Sequence, residues 1–334
     1  MTGLSRRRWL QAALASAAAA AAFGGRADLA RAAEGPDLVV EGPVGPTSMA
    51  LVRLAATDPQ GQDAPRFGFR PWRTTEALEA MLASGQAKAA IMPTPLAGAL
   101  YNGGMPIHLA SIVSWGRFYI ISTEPKVIDF EDLKGRTLVV PATNKLAELV
   151  FRYVAIKRRL PAERAIKLKM VATADEALTQ MLTRKATLVL ADEPLATLAV
   201  VRGIEQGVVV KRPIDLQSEW NDVTGRKNGL PELGLVVADD LVQRQPNLVQ
   251  ALAHGVTQAA TWVVGNPQPA ARMGAEVLEL PPQVIELCLK WANLDPVPAA
   301  EARKDVEYLF TALAAVEPKV VGGKLPDAKF YLSA

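Results

Sequence analysis

Short continuous apolar runs alternate along this chain with longer stretches whose apolar residues recur every three or four positions. Leu38-Val39-Val40 is the first such run. A Pro/Gly turn follows (Gly42 to Pro46), and a helix is predicted to open at Thr47-Ser48 and to carry Met49, Leu51, Val52, Leu54 and Ala55. Thr and Ser suit a helix entrance because a side-chain oxygen there satisfies a backbone N–H without an intrahelical partner. The pattern then predicts a strand from Arg66 to Trp72, a helix from Thr75 to Ser84 and a strand from Ala89 to Met92. Gly85 closes that helix, since glycine tolerates the left-handed cap. Pro93-Thr94-Pro95 leads into another helix. Strand and helix in alternation predict a parallel sheet covered by helices.

About a hundred residues further on, the same order returns. Leu138-Val139-Val140 is a strand, Pro141 to Asn144 a turn, Lys145 to Arg159 an amphipathic helix and Ile166 to Val171 a strand. Asp175 to Leu182 then mirrors Thr75 to Leu82, and Asp192-Glu193-Pro194-Leu195-Ala196 mirrors Thr94-Pro95-Leu96-Ala97. Matched order at one spacing predicts two lobes on one β/α plan and not a solenoid. Ile107 to Ser122 is long, β-rich and interrupted by Ser114-Trp115-Gly116, so it can leave one lobe and enter the other. Leu233 to Val237 is a second such strand, after a polar loop through Trp220 to Pro231. Four helices follow: Asp240 to Val264, Pro267 to Leu278, Pro281 to Asn293 and Ala299 to Val316. We therefore expect an α/β protein in which residues 33–115 and 233–334 form one lobe and 116–232 the other. Two crossovers joining them make a hinge that permits closure on a ligand.

The first 32 residues read as an address. Ser5-Arg6-Arg7-Arg8-Trp9-Leu10 precedes an alanine-dominated apolar stretch ending at Phe23, and Ala30-Arg31-Ala32 is a small-residue cleavage site. This is the layout of a secretory signal, and its paired arginines are similar to the twin-arginine export signal. The apolar stretch is shorter than the ~20 residues needed to span a bilayer. Cleavage near Ala32 would place the mature protein in the periplasm. It also changes the charge: the whole chain carries +3, whereas 33–334 holds 32 basic and 33 acidic residues. The mild basicity therefore belongs to the leader and gives no hint of nucleic acid. The single cysteine excludes an intrachain disulfide and a cysteine-based metal site.

Several segments together, among them "TTEALEAMLASGQAKAAIMPTPLAGALYNGG", "DFEDLKGRTLVVPATNKLAELVFR", "ADEPLAT" and the tail "VVGGKLPDAKFYLS", resemble periplasmic substrate-binding proteins of ABC importers. The branch they are most similar to is the nitrate/sulfonate/taurine family. The resemblance implies a two-lobed, type II periplasmic binding fold with two hinge crossovers. It also implies a monomer that carries a small solute to an ABC permease and its ATPase. The eukaryotic thiamine-pyrimidine synthases share this fold but use a cysteine-rich segment that this sequence lacks.

In open α/β sheets a ligand sits beyond the carboxyl ends of the strands, where helix N-termini favour anions. The turns there nominate Thr47, Ser48, Thr94, Thr143 and Asn144 as donors, and Trp72, Ser114 and Trp115 as wall and crossover residues. Glu193 at a cleft-facing turn would repel a simple anion and accept from a nitrogen head, whereas Lys145 argues the other way. The expected ligand is thus a sulfonate-, nitrate- or taurine-like anion or zwitterion, or a nitrogen heterocycle. His108 and His254 have no ligand partner at metal spacing, Cys288 reads as a buried hydrophobe, and there is no nucleophile elbow, P-loop or dinucleotide fingerprint. No cofactor and no catalysis are expected; an exported enzyme or a ligand sensor on the same scaffold is the alternative.

Overall fold

The structure, a computed structural model, describes residues 35–57, 64–160 and 165–333. The proposed export signal lies outside the described residues. The first part of the chain runs β1 (Leu38–Pro43), α1 (Met49–Ala55), β2 (Phe67–Trp72), α2 (Thr75–Ala83), β3 (Ala89–Pro93), α3 (Thr94–Asn102) and β4 (Ile107–Ser114). Next come β5 (Phe118–Ser122), β6 (Thr137–Pro141), α4 (Lys145–Lys157), β7 (Lys167–Val171), α5 (Ala174–Leu182), β8 (Leu188–Asp192), α6 (Leu195–Glu205), β9 (Lys211–Asp215) and α7 (Leu216–Thr224). The chain then continues through β10 (Leu233–Ala238), α8 (Asp239–Arg244), α9 (Pro246–Gly265), α10 (Pro267–Leu278), α11 (Pro282–Leu289), β11 (Leu294–Pro298) and α12 (Ala299–Val316).

These strands form two sheets. One has the order β2-β1-β3-β10-β4-β11, the other β7-β6-β8-β5-β9. Laid side by side, the two orders match strand for strand through the first five. In each, three parallel strands come first, β2-β1-β3 and β7-β6-β8. The fourth strand of each sheet, β10 or β5, is antiparallel and arrives from the other sheet. The sheets are therefore mixed, where strand–helix alternation alone predicted parallel ones. The helices that begin the repeated βα units are capped alike: Thr74 Oγ1 accepts from Ala77 N at 3.2 Å, and Thr173 Oγ1 from Glu176 N at 3.1 Å.

Three local expectations are corrected. Residues 240–264 are not one helix, because Pro246 lacks the N–H needed to continue α8 and instead starts α9. The polar loop through Trp220 contains α7, whose Asp215 cap accepts from Gln217 N and Ser218 N. The last part of 281–293 is not helical, since α11 ends at Leu289.

The lobes meet on two sides. On one, α12 packs against both: Val306, Leu309, Phe310 and Leu313 share a buried cluster with Met92 and Leu109 of the first sheet and with Phe151 and Val154 on α4. Trp220 on α7 is fully buried there, its ring 5.4 Å from Tyr153 and 5.8 Å, edge-on, from Tyr308. On the other side run the crossovers. Trp115 Nε1 donates to Asp295 O at 2.8 Å, Asn293 Nδ2 to Gly116 O at 2.6 Å, and Glu232 N to Ser114 O at 3.1 Å. Each crossover needs a glycine. Gly116 (φ +89°) lies against Gln217, and a Cβ at Gly229 (φ +84°) would meet Trp115 O at 2.8 Å.

Candidate functional site

A cavity of about 550 Å³ lies between the lobes. It is bounded by the carboxyl ends of the parallel strands: Pro43 of β1, Trp72 of β2, Pro93 of β3, Pro141 of β6 and Asp192 of β8. The antiparallel strands enter at the same edge, bringing Phe118 and Leu233. The walls are mainly apolar, with Trp72, Pro95 and Leu96 facing Leu146, Leu149 and Val320. Trp72 Nε1 donates to Ile91 O at 3.0 Å, which fixes the indole while leaving its ring as a wall. This size and lining suit a small organic ligand held by a few placed polar groups.

The polar floor is built from the crossovers. Arg117 immediately precedes β5, and its carbonyl accepts from Glu193 N at 3.1 Å; Glu232 immediately precedes β10, and its carbonyl accepts from Thr94 N at 2.8 Å. The two residues therefore hold equivalent places in the two lobes, with opposite charge. They pair with each other, Arg117 Nη2 to Glu232 Oε1 at 2.9 Å, and Asp192 Oδ2 stands 3.6 Å from Arg117 Nη1. Arg117 Nη1 also donates to the Glu193 carbonyl. Glu232 is 2% exposed and Arg117 8%. Burial pushes the Glu232 carboxyl up to about 7 against the pull of Arg117, and burial likewise raises that of Asp192. For Arg117 burial disfavours the charge, but Glu232 and Asp192 more than offset it and hold its pKa above the usual value.

Three polar atoms at this cavity lack a partner within the protein: Glu232 Oε2, Arg117 Nε and Asn144 Nδ2. Asn144 caps α4, its Oδ1 accepting from Ala147 N at 3.3 Å, which leaves the amide nitrogen to spare. The three basic side chains on the lining are all engaged. Arg73 Nη2 lies 2.6 Å from Glu279, Lys145 Nζ 2.9 Å from Glu317, and Arg117 holds Glu232.

Of the sequence-predicted residues, Trp72, Thr143 and Asn144 line the cavity. The other six are placed elsewhere. Thr47 and Ser48 are buried in a 3-10 turn (Pro46–Ser48) whose Ser48 hydroxyl donates back to Pro43 O at 2.6 Å, so α1 starts at Met49 without a side-chain cap. Thr94 Oγ1 donates to Glu232 O at 3.0 Å, and the neighbouring Pro93 and Pro95 face the cavity instead. Ser114 Oγ donates to Ala292 O at 2.8 Å. Trp115 sits on the crossover, beside a smaller polar pocket with Asp215 and Asn293. Glu193 is fully buried, turned away from the cavity and paired with Arg212 at 2.7 Å; Thr197 N donates to its other oxygen at 3.2 Å. Arg212 in turn stacks over Trp291, 4.8 Å from the ring centroid. Trp291, just past the end of α11, is a partly exposed ring clamped by Arg212 and Tyr119.

Two further singled-out groups are engaged within the protein. His108 is held between Lys329 O at 2.6 Å and Asp239 Oδ1 at 2.7 Å. Cys288 is buried, and burial pushes its thiol up. Arg117 and Glu232 were missed by sequence reasoning. The available signal was a lone charge directly before each of two mainly apolar strands, FYIIS and LGLVVA.

No protein-family model matches the sequence, and no curated protein does. Solved structures match over most of its length. An ABC transporter from Parabacteroides distasonis is 21% identical, with a TM-score of 0.73 over 89% of this chain and 98% of its own. The periplasmic aliphatic sulphonate binding protein SsuA from Escherichia coli is 12% identical, with a TM-score of 0.66 over 89% and 94%. The desulfurization enzyme DSZB is 13% identical, with a TM-score of 0.54 over 83% and 91%. The chain thus has the two-lobed fold of periplasmic binding proteins, a fold that also carries at least one enzyme. No helix among the described residues is long and apolar enough to cross a membrane.

Proposed function

We propose that this chain is the solute-receiving component of an ABC importer. It would be exported through the twin-arginine route, cleaved near Ala32 and active as a periplasmic monomer. It would capture one small molecule between its lobes (33–115 with 233–334, and 116–232) and deliver it to a permease. The observation that carries this reading is the cavity itself. It opens at the carboxyl ends of both sheets, and its floor is made by the two residues that begin the crossover strands, Arg117 and Glu232. A ligand touching that floor is in contact with both lobes and both crossovers at once, which is how binding energy is converted into a lobe movement a permease can read.

The ligand class expected from sequence was a sulfonate, nitrate, taurine-like solute or nitrogen heterocycle, and the SsuA likeness supports an organic solute of that size. An enzyme reading has one observation in its favour: Asp192 and Glu232, two carboxyls raised by burial, face one cavity. One experiment separates the two. The mature protein is screened by thermal shift against sulfonates, nitrate, amines and heterocycles, and any hit is recovered and analysed. A receptor gains roughly 2.7 kcal/mol at a hundredfold excess over Kd and returns the ligand unchanged. Conversion of the ligand would establish an enzyme, and a flat screen would remove the receptor reading.

A further inference from the structure

The charge balance and unfilled hydrogen bonds of the cavity say more about its ligand than the fold does. An oxyanion needs a cation or several donors free to meet it. Each of the three basic side chains on the lining already holds a carboxylate: Arg73 holds Glu279, Lys145 holds Glu317, and Arg117 holds Glu232. Two donors, Arg117 Nε and Asn144 Nδ2, are unfilled, but an anion meeting Arg117 would enter beside the carboxyls of Asp192 and Glu232. The acceptor side is different. Glu232 is 2% exposed, lines the cavity, and its Oε2 accepts from nothing in the protein. A buried carboxylate oxygen without a donor is costly, and a ligand N–H removes that cost. Asn144 Nδ2, on the opposite lobe, is an unfilled donor.

Resting on the receptor reading above, we infer that this cavity takes an organic molecule with a flat apolar body and a nitrogen head, amidine-like or amide-like. The head donates N–H to Glu232 Oε2, and any carbonyl or ring acceptor it carries meets Asn144. The body lies against the Trp72 ring and the proline and leucine walls. A bare inorganic anion would leave most of the roughly 550 Å³ unfilled. Asp192, on the same guanidinium, adds negative potential, so a cationic head is favoured over a neutral one. Ionised Glu232 is the form that receives such a head. Burial holds much of it protonated near neutrality, so binding of a cation releases a proton.

The test uses four probes with one body and different heads: benzamidine, benzamide, benzoate and benzenesulfonate, with nitrate and taurine beside them, each titrated calorimetrically into the mature protein. Benzamidine is expected to bind best, benzamide next, and the three anions not measurably. Benzamidine affinity should rise several-fold from pH 6 to pH 8, and calorimetry in two buffers of different ionisation enthalpy should show the proton released. Glu232→Gln should weaken benzamidine at least tenfold and benzamide much less. If that variant does not fold, Asp192→Asn together with the wild-type pH profile carries the same distinction. Tighter binding of benzenesulfonate, benzoate, nitrate or taurine than of benzamidine would overturn the inference and leave the receptor reading intact. No binding of any probe overturns the inference too, and only the wider thermal-shift screen then decides the receptor reading.

Discussion

The two lobes are copies of one plan that have been finished differently at their equivalent turns. After β3 the chain places Thr94, a neutral hydroxyl that donates to the Glu232 carbonyl; after β8 it places Glu193, a buried carboxylate that needs Arg212 behind it. After β1 the turn folds in on itself through Ser48 and Pro43, whereas after β6 Thr143 and Asn144 stay open to the cavity. Before the returning strand, one lobe carries Arg117 and the other Glu232. Pseudo-symmetry thus explains where polar groups are placed, but the chemistry lives in the departures from it. An opposite pair at equivalent sites joins the lobes across the floor, which two like charges could not do.

The sharpest way to break this comparison is at the 94/193 pair. Glu193→Ala leaves the Arg212 charge largely buried without its carboxylate and should destabilise by roughly 3–5 kcal/mol. Thr94→Ala removes one neutral hydrogen bond and should cost only about 1 kcal/mol. Urea unfolding of both variants measures the difference, and equal losses would mean that the two turns are energetically alike.

The floor pair comes next. Glu232 has a folded-state pKa raised to about 7 from an ordinary 4.5, by burial first and by Asp192, against Arg117. Its protonated form is therefore favoured by folding. That contribution is complete below about 4.5 and is lost as pH rises through about 7. The difference in unfolding free energy between wild type and Glu232→Gln should accordingly shift by roughly 3 kcal/mol in favour of the variant between pH 4.5 and pH 8. A difference independent of pH would show that Glu232 is not the buried, titrating member of the pair.

The smallest effects separate the first turns. Asn144→Ala loses the α4 cap at a cost of about 1 kcal/mol and should also weaken the bound solute. Thr47→Val replaces a buried hydroxyl whose Oγ1 has no partner. It should change stability by less than about 1 kcal/mol and leave affinity unchanged. A loss of affinity in Thr47→Val would return that turn to the binding surface.

Much of the architecture was legible because its signals are local. The strands Leu38–Val40 and Leu138–Val140, the Thr-capped helices after Trp72 and Val171, and the hundred-residue repeat all rest on apolar runs and turn residues. What stayed hidden was set by partners far along the chain. The edge strands β9 and β11 carry prolines (Lys211-Arg212-Pro213 and Asp295-Pro296-Val297-Pro298), which edges tolerate but which erase a strand's signature. Glu193 read as a cleft residue because nothing local announces that Arg212, nineteen positions on, sits behind it. Nothing local marks Arg117 and Glu232 as partners. Only the crossing of the two lobes brings them into contact.

Tryptophan fluorescence puts the interlobe site itself to the question. Trp72 lines the cavity, while Trp220 is sealed in the seam beside α12. Titration of the mature protein with a solute found by thermal shift should give a saturable change in emission at one ligand per chain. That change should be largely lost in Trp72→Phe and kept in Trp115→Phe. A solute that binds with the same emission change in Trp72→Phe as in wild type would place the ligand outside the cavity.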